Sequence, residues 1–506
     1  MDFKKAVCML LALLLLSAGV ACSPKKDPVN PPESEKKTEG AGDVSDTETA
    51  EENYDPELAP INGGGKRVKF LSREAGVTAN YWYSEISPKS EDDSNIVDSK
   101  LFARNEYLMD KYDVVIEMEE INYNQIATKI ENQVRGNMDE RDSVMVALPM
   151  LVHAFNMAGK GLCYSIEDLP FVDPEKPYWR NDIYHATTIK GKNYFISGDI
   201  NTSVYGSSWT TFFNEVIVRS NEIENPYELV RSGEWTMEKA LELAKGFGGD
   251  NGDGVFDNSD NYGICSGTWV WQCFLYGGCL KFVDKDAEDV PFFVMNDAGK
   301  SEQLKTVLSD IIRIMNDQSL SINANKAGLS AQPSKLFCDG QVLFYFANVN
   351  NAFVKSDIKD MSQEYGVLPL PKLNTDQKHY SNAVHPHHSS TVVVPLNISR
   401  ETLTLVGSLL EDMAYESYQQ VKPAYYETVI TYQSVRNSES FSMMPYIFAD
   451  FTIDFGLIMT DTFGFDAEIR NHILKNDSNF TSYFSSFLPL WNKALQDIVK
   501  SYGETS

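Results

Sequence analysis

SKLFARNEYLMDKYDVVIEMEEINYNQIATKIENQVRG, residues 99–136, is the stretch that decides the fold. Leu101, Phe102, Tyr107 and Leu108 recur at helical spacing, and VVIEMEEI (114–121) then reads as a strand. A second helix is expected over 121–136, with Gly136 as its C-cap. Upstream, from Lys66, RVKFL alternates like a buried strand, and SREAGVTANYWYSEI (72–86) reads as a loop. Downstream, SVMVALP (143–149) is a third strand. Strand, helix, strand, helix, strand implies a parallel sheet with helices on its faces, the α/β class.

The same grammar continues to the end of the chain. TFFNEVIV (211–218), QVLFYFA (341–347) and TVVVPL (391–396) read as strands. Helices are expected at TMEKALELAKGF (236–247), SEQLKTVLSDIIRIMNDQ (301–318), RETLTLVGSLLEDMAYES (400–417) and FLPLWNKALQDIVKSYG (487–503). No repeat of fixed period is present, and the body reads as two or more sheets.

Ahead of the body, Lys4 and Lys5 precede an apolar run from Ala6 to Ala21 that closes on Ala18, Gly19 and Ala21. That is the layout of a secretory signal over 1–21, short for a bilayer span of about 20 apolar residues. Cys22 stands where the run stops, and the site resembles a bacterial lipobox, whose cysteine carries the lipid. Gly19 departs from the aliphatic residue usual there, and a cleaved signal with a bystander cysteine is the alternative. Residues 22–65, rich in Pro, Glu, Lys, Ser, Thr and Gly, read as a disordered tether. About 440 residues remain, enough for two domains.

With 72 acidic and 44 basic residues the net charge is −28, which argues against nucleic acid or an anionic membrane face as partner. Cys163, Cys265, Cys273, Cys279 and Cys338 are scattered and lack paired CxxC spacing, so neither a zinc site nor a disulfide framework is implied. A Cys273–Cys279 pair is the alternative to free buried thiols. There is no GxSxG elbow, HExxH helix, P-loop or strand-borne GxGxxG, so catalysis finds no motif.

Six blocks, in order, resemble the extracellular solute-binding proteins of sugar-importing ABC transporters (solute-binding protein family 1). They are PYWRNDIYHATTIKGKNYFISGDI (177–200), NPYELVRSGEWTMEKALELAKGF (225–247) behind Phe213–Asn214, GDNGDGVFDNSDNYGI (249–264), FCDGQVLFYFANVNN (337–351), EYGVLPLPKLN (364–374) and YYETVITYQSVRNSESFSMMPYIF (425–448). The resemblance implies a periplasmic-binding-protein-like type II fold, two α/β lobes joined by a hinge, with ligand in the cleft between them. It places lobe one at 66–197 plus 390–430 and lobe two at 198–389 plus 431–506. The crossings would fall near Gly198, His387–Thr391 and Thr431. It also implies an oligosaccharide or similar sugar as ligand, a two-subunit permease and its ATPase as partners, membrane attachment through the lipid alone, and a monomer. A tethered glycosidase and a solute sensor are the alternatives.

Sugars present hydroxyls to polar groups and C–H faces to aromatic rings. Trp82 and Trp209 lie in loop-like polar surroundings, and Trp269 and Trp271 alternate in SGTWVWQ, which in an extended segment would put them on one face. Arg73 and Glu74 end the first strand, where open α/β sheets bind ligands. Asn348 and Asn350 follow QVLFYFA, and Asp199 lies at the first crossing. Of these, Arg73 and Asn348 are the stronger polar candidates. His385, His387 and His388 put three imidazoles within four residues, but no further ligand completes a tetrahedral zinc set, so they read as a polar loop by the hinge. Aligned to a calcium loop with Gly254 at position 6, Asn251, Asp253, Asp257 and Asp260 fall at 3, 5, 9 and 12, but Gly249 replaces the first aspartate. A plain acidic turn is the leading reading there, with Ca2+ the weaker one and no other cofactor expected.

Overall fold

The computed structural model describes residues 54–74, 85–88, 96–323, 333–352, 358, 361–432 and 438–504. The signal, Cys22, Trp82 and most of the tether lie outside them. Residues 54–65, read as the end of the tether, are tied to the body: Gly63 and Gly65 donate to the Tyr112 and Asp113 carbonyls at 2.7 and 2.8 Å. Tyr54 and Ile61 pack against an apolar core there.

The first sheet grows from β1 (Lys66–Arg73), α1 (Ile96–Tyr112), β2 (Val114–Ile121), α2 (Ile126–Arg135), β3 (Val146–Ala147) and α3 (Leu151–Gly159). Its order is β2-β1-β3, all parallel, with Phe70 opposite Met118 and Val146. Alternate residues of β1 enter different cores, Val68 and Phe70 in one and Leu71 in the other, so helices cover both faces. Gly136 does cap α2, in right-handed rather than left-handed geometry. TVVVPL forms single bridges rather than a strand: Val393 to Ala147 of β3, Val392 to Ile196 and Pro395 to Cys163.

The second sheet uses β4 (Trp209–Asn214), followed by α4 (Glu215–Ser220) and α5 (Met237–Lys245), then β5 (Tyr262–Ser266) and α6 (Val270–Gly277). A hairpin of β6 (Val283–Lys285) and β7 (Pro291–Phe293) precedes α7 (Ala298–Asn316), β8 (Ser321–Asn323), β9 (Val342–Asn348) and β10 (Tyr365–Leu368). The order is β10-β4-β9-β5-β8, with β5, β8 and β9 parallel and β4 and β10 antiparallel to their neighbours. TFFNEVIV is therefore not one strand. Asn214 ends β4 and its side chain accepts from the Ile217 N–H, an N-cap that turns Glu215–Ser220 into helix.

Helices α8 (Arg400–Glu416), α9 (Lys422–Tyr432), α10 (Phe465–Lys475) and α11 (Phe480–Glu504) complete the body. Ile196 pairs with Val392 beside the first sheet and Ser208 with Val384 beside the second, so two chain segments run between the sheets side by side. Hydroxyls join them: Ser203 Oγ lies 2.9 Å from Ser390 Oγ, and Ser207 Oγ 2.6 Å from Ser389 Oγ. Among the described residues no helix is long and apolar enough to cross a membrane.

Candidate functional site

A cavity of about 300 Å3 opens where the second sheet meets the crossing segments. Trp209, Tyr345, Ala347 and Asn348 reach it from the paired strands β4 and β9. Trp209 lies directly opposite Asn348, so strand register alone puts a ring beside an amide. The Asn348 Nδ2 donates to the Ser207 carbonyl at 2.7 Å, which fixes the amide with its oxygen as the remaining acceptor. Trp269 and Gln272 line the cavity from the start of α6, Asp466 and Arg470 from the first turns of α10.

A chain of hydrogen bonds orients this wall. The Trp209 indole N–H donates to Gln272 Oε1 at 3.2 Å, and Gln272 Nε2 donates to Asp466 Oδ1 at 3.3 Å. The Trp271 indole donates to the same oxygen at 3.3 Å, and Arg470 Nη2 lies 2.8 Å from Asp466 Oδ2. Asp466, the one carboxylate among the described lining residues, is thus bonded to the protein on both oxygens.

The crossing segment supplies His385 and His388, whose rings stack with centroids 4.0 Å apart. Burial first, then His388, His387 and Arg470, push His385 well below the ordinary histidine value. Burial first, then the Arg73 guanidinium, hold His388 at about 4. Both imidazoles are therefore neutral near pH 7, each with one N–H and one lone pair. Among the described residues the buried Nδ1 of His385 has no hydrogen-bond partner. A neutral imidazole pair, an amide, a guanidinium and two indoles suit a ligand rich in hydroxyls with apolar faces.

The predicted residues separate clearly. Trp209, Trp269 and Asn348 come together at the cavity. Arg73 is buried at the end of β1 and does not line the cavity, although its charge acts on His388; burial lowers its own pKa to about 10 against the pull of Glu85. Trp271 does not share a face with Trp269. The segment is helical, Trp269 stands just before α6 and Trp271 within it, fully buried against Tyr276 and Phe282. Asp199 belongs to the crossings, bonded to Lys422 and Tyr205. Asn350 accepts from Tyr425 at 3.2 Å, away from the cavity wall. Sequence reasoning missed Gln272, Tyr345, Asp466 and Arg470. The last two look in sequence like any exposed (i, i+4) ion pair.

In the acidic turn, Asp260 accepts from the Asn251 and Asp257 backbone N–H groups at 2.8 and 2.7 Å, and Asp253 from Val255 at 2.8 Å. Among the described residues no three His, Cys, Asp or Glu side chains gather as a metal set, the imidazole loop included. The five described cysteines are free thiols, of which Cys163, Cys265 and Cys273 are buried.

No family model and no curated protein matches the chain. Solved structures match its fold. A sugar transporter protein of Rhizobium etli in an open conformation is 14% identical, with a TM-score of 0.54 over 87% of this chain and 98% of that one. A cyclic alpha-maltosyl-1,6-maltose binding protein from Arthrobacter globiformis is also 14% identical, with a TM-score of 0.54 over 87% and 99%. A cyclo/maltodextrin-binding protein complexed with maltotetraose is 13% identical, with a TM-score of 0.52 over 87% and 97%. At such identity the likeness is one of fold: the chain has a two-lobe, periplasmic-binding-protein-like type II fold, similar to that of these three proteins.

Proposed function

We propose that the protein captures a carbohydrate, an oligosaccharide or similar sugar, between its lobes and delivers it to an ABC permease powered by a cytoplasmic ATPase. The observation that carries the reading is the cavity itself, in which Trp209 and Trp269 stand with Asn348, Arg470 and two neutral imidazoles. Rings offer apolar platforms and the polar atoms offer directed contacts to hydroxyls. Ligand that touches both lobes favours the closed arrangement by its differential affinity, and the crossing segments are where such a hinge bends. The cycle is binding and release, with no bond made or broken and no cofactor used. In this reading the chain works outside the cytoplasm as a monomer, held to the membrane through lipid on Cys22.

A glycosidase would need two carboxyl groups flanking the scissile bond. Asp466 alone lines the cavity among the described residues, and its oxygens already serve Gln272, Trp271 and Arg470. The test is thermal melting of the protein with a panel of mono- and oligosaccharides, each sugar recovered afterwards. A hundred-fold excess of ligand over Kd adds about 2.7 kcal/mol to the folded state. A raised midpoint with the sugar returned intact is the expected result. A raised midpoint with the sugar cleaved would overturn the transport reading in favour of hydrolysis.

A further inference from the structure

Trp269 forms part of the cavity wall, yet it precedes α6, ahead of the helix's regular ladder. What fixes its ring lies two residues earlier. A Cβ built on Gly267 would stand 2.0 Å from Cζ3, 2.2 Å from Cη2 and 2.3 Å from Cε3 of the Trp269 indole. Carbon atoms in contact stay about 3.5 Å or more apart, so any side chain at 267 displaces the ring by an ångström or more. Gly267 is not among the glycines with positive φ, so backbone freedom is not the reason for glycine here. Close approach is the reason.

We propose that Gly267 is a positioning residue of the cavity: having no side chain, it lets the Trp269 indole lie against the backbone. The width of the cavity at that wall, and so which sugar ring fits, follows from it. The selection of a sugar rests on the function proposed above; the placement of the ring does not. Gly267 presents no side chain to any ligand, so its effect on binding can only run through its neighbour.

The test uses the full chain with Gly267→Ala, Trp269→Phe, Trp269→Leu and the double variants. In the ligand-free protein, the Trp269 contribution to fluorescence is the difference between each form and its Trp269→Phe partner. Acrylamide quenching of that contribution is expected to change in Gly267→Ala; an unchanged contribution in a folded Gly267→Ala overturns the proposal. Binding is then read with glucose, maltotetraose and cellotetraose. Gly267→Ala should weaken whichever is bound about tenfold, while Gly267→Ala with Trp269→Leu should bind no worse than Trp269→Leu alone. Additive losses would overturn the proposal, because independent sites add and coupled ones do not. Should Gly267→Ala fail to fold, recovery of folding in the Trp269→Leu double variant supports the proposal and its absence refutes it. A changed Trp269 signal with no sugar bound by the unmodified protein supports the positioning role and counts against the sugar reading alone.

Discussion

At the crossings, Glu85 accepts from the Ser203 backbone N–H at 2.9 Å and from Ser390 Oγ at 2.8 and 2.7 Å, while Asp199 takes Lys422 at 3.3 Å and the Tyr205 hydroxyl. At the cavity, a few residues away along the same segment, the buried Nδ1 of His385 has no partner among the described residues, and Arg470 is half exposed. Both regions are polar and both lie near the segments that run between the sheets. At the first, these carboxylates are spent on hydroxyls, an ammonium and a backbone N–H, and hold backbone segments together. The second leaves an imidazole nitrogen and part of a guanidinium open beside aromatic rings, although its amides and carboxylate are bonded within the wall. Polarity at a junction therefore does not mark a binding site by itself; what each group is bonded to does.

That contrast can be broken by substitution, and the largest effect belongs to the crossings. Asp199→Ala removes the partner of a partly buried ammonium and of a buried tyrosine hydroxyl, and is expected to cost about 3 kcal/mol in denaturant unfolding. Sugar affinity of the folded protein should stay nearly the same. An unchanged unfolding midpoint would mean that the pair does not hold the crossing.

The next effect sharpens the cavity side. His388 is held at about 4, below its ordinary 6.5, so the folded state favours the neutral ring. The stability this contributes is complete above 6.5 and is lost as pH falls towards 4. His388→Asn should therefore flatten the acid loss of stability between those values, by up to about 3 kcal/mol in the difference between the two proteins. Parallel pH curves for both would contradict the buried neutral imidazole.

Trp269→Ala addresses the wall directly. The expected loss is about tenfold in sugar affinity, about 1.4 kcal/mol, with a smaller loss of stability because the ring is only partly buried. Smallest of all, Arg470→Met should cost about 0.5 kcal/mol of stability, as for an exposed ion pair. It should lower sugar affinity about threefold, read by calorimetric titration. A stability loss as large as that of Asp199→Ala would place Arg470 with the crossings instead.

Much of the fold was legible because strand and helix periods are local. VVIEMEEI coincides with Val114–Ile121, and the helix signals at 236–247 and 301–318 hold with a Thr236 cap and an Asp297 cap. The misread segments share one cause. VWQCFLYG is buried on every side, so it carries no one-sided apolar stripe, and two tryptophans two apart mimic a strand's period. TFFNEVIV hid a change of element behind unbroken hydrophobicity, although Asn214 was a usable cap signal. Of the site, Trp209 and Asn348 were legible as polar-flanked residues at strand ends. Asp466 and Arg470 were not, since their approach to Gln272 depends on packing between elements almost 200 residues apart.

The most direct test of sugar capture at this cavity lets the protein choose its own ligand. The protein and its Trp269→Ala variant would each be dialysed to equilibrium against one mixture of mono- and oligosaccharides, and the retained glycan identified by mass spectrometry. The expected result is one glycan class held intact by the unmodified protein and largely lost from the variant. Equal retention by both, or retention by neither, would contradict it.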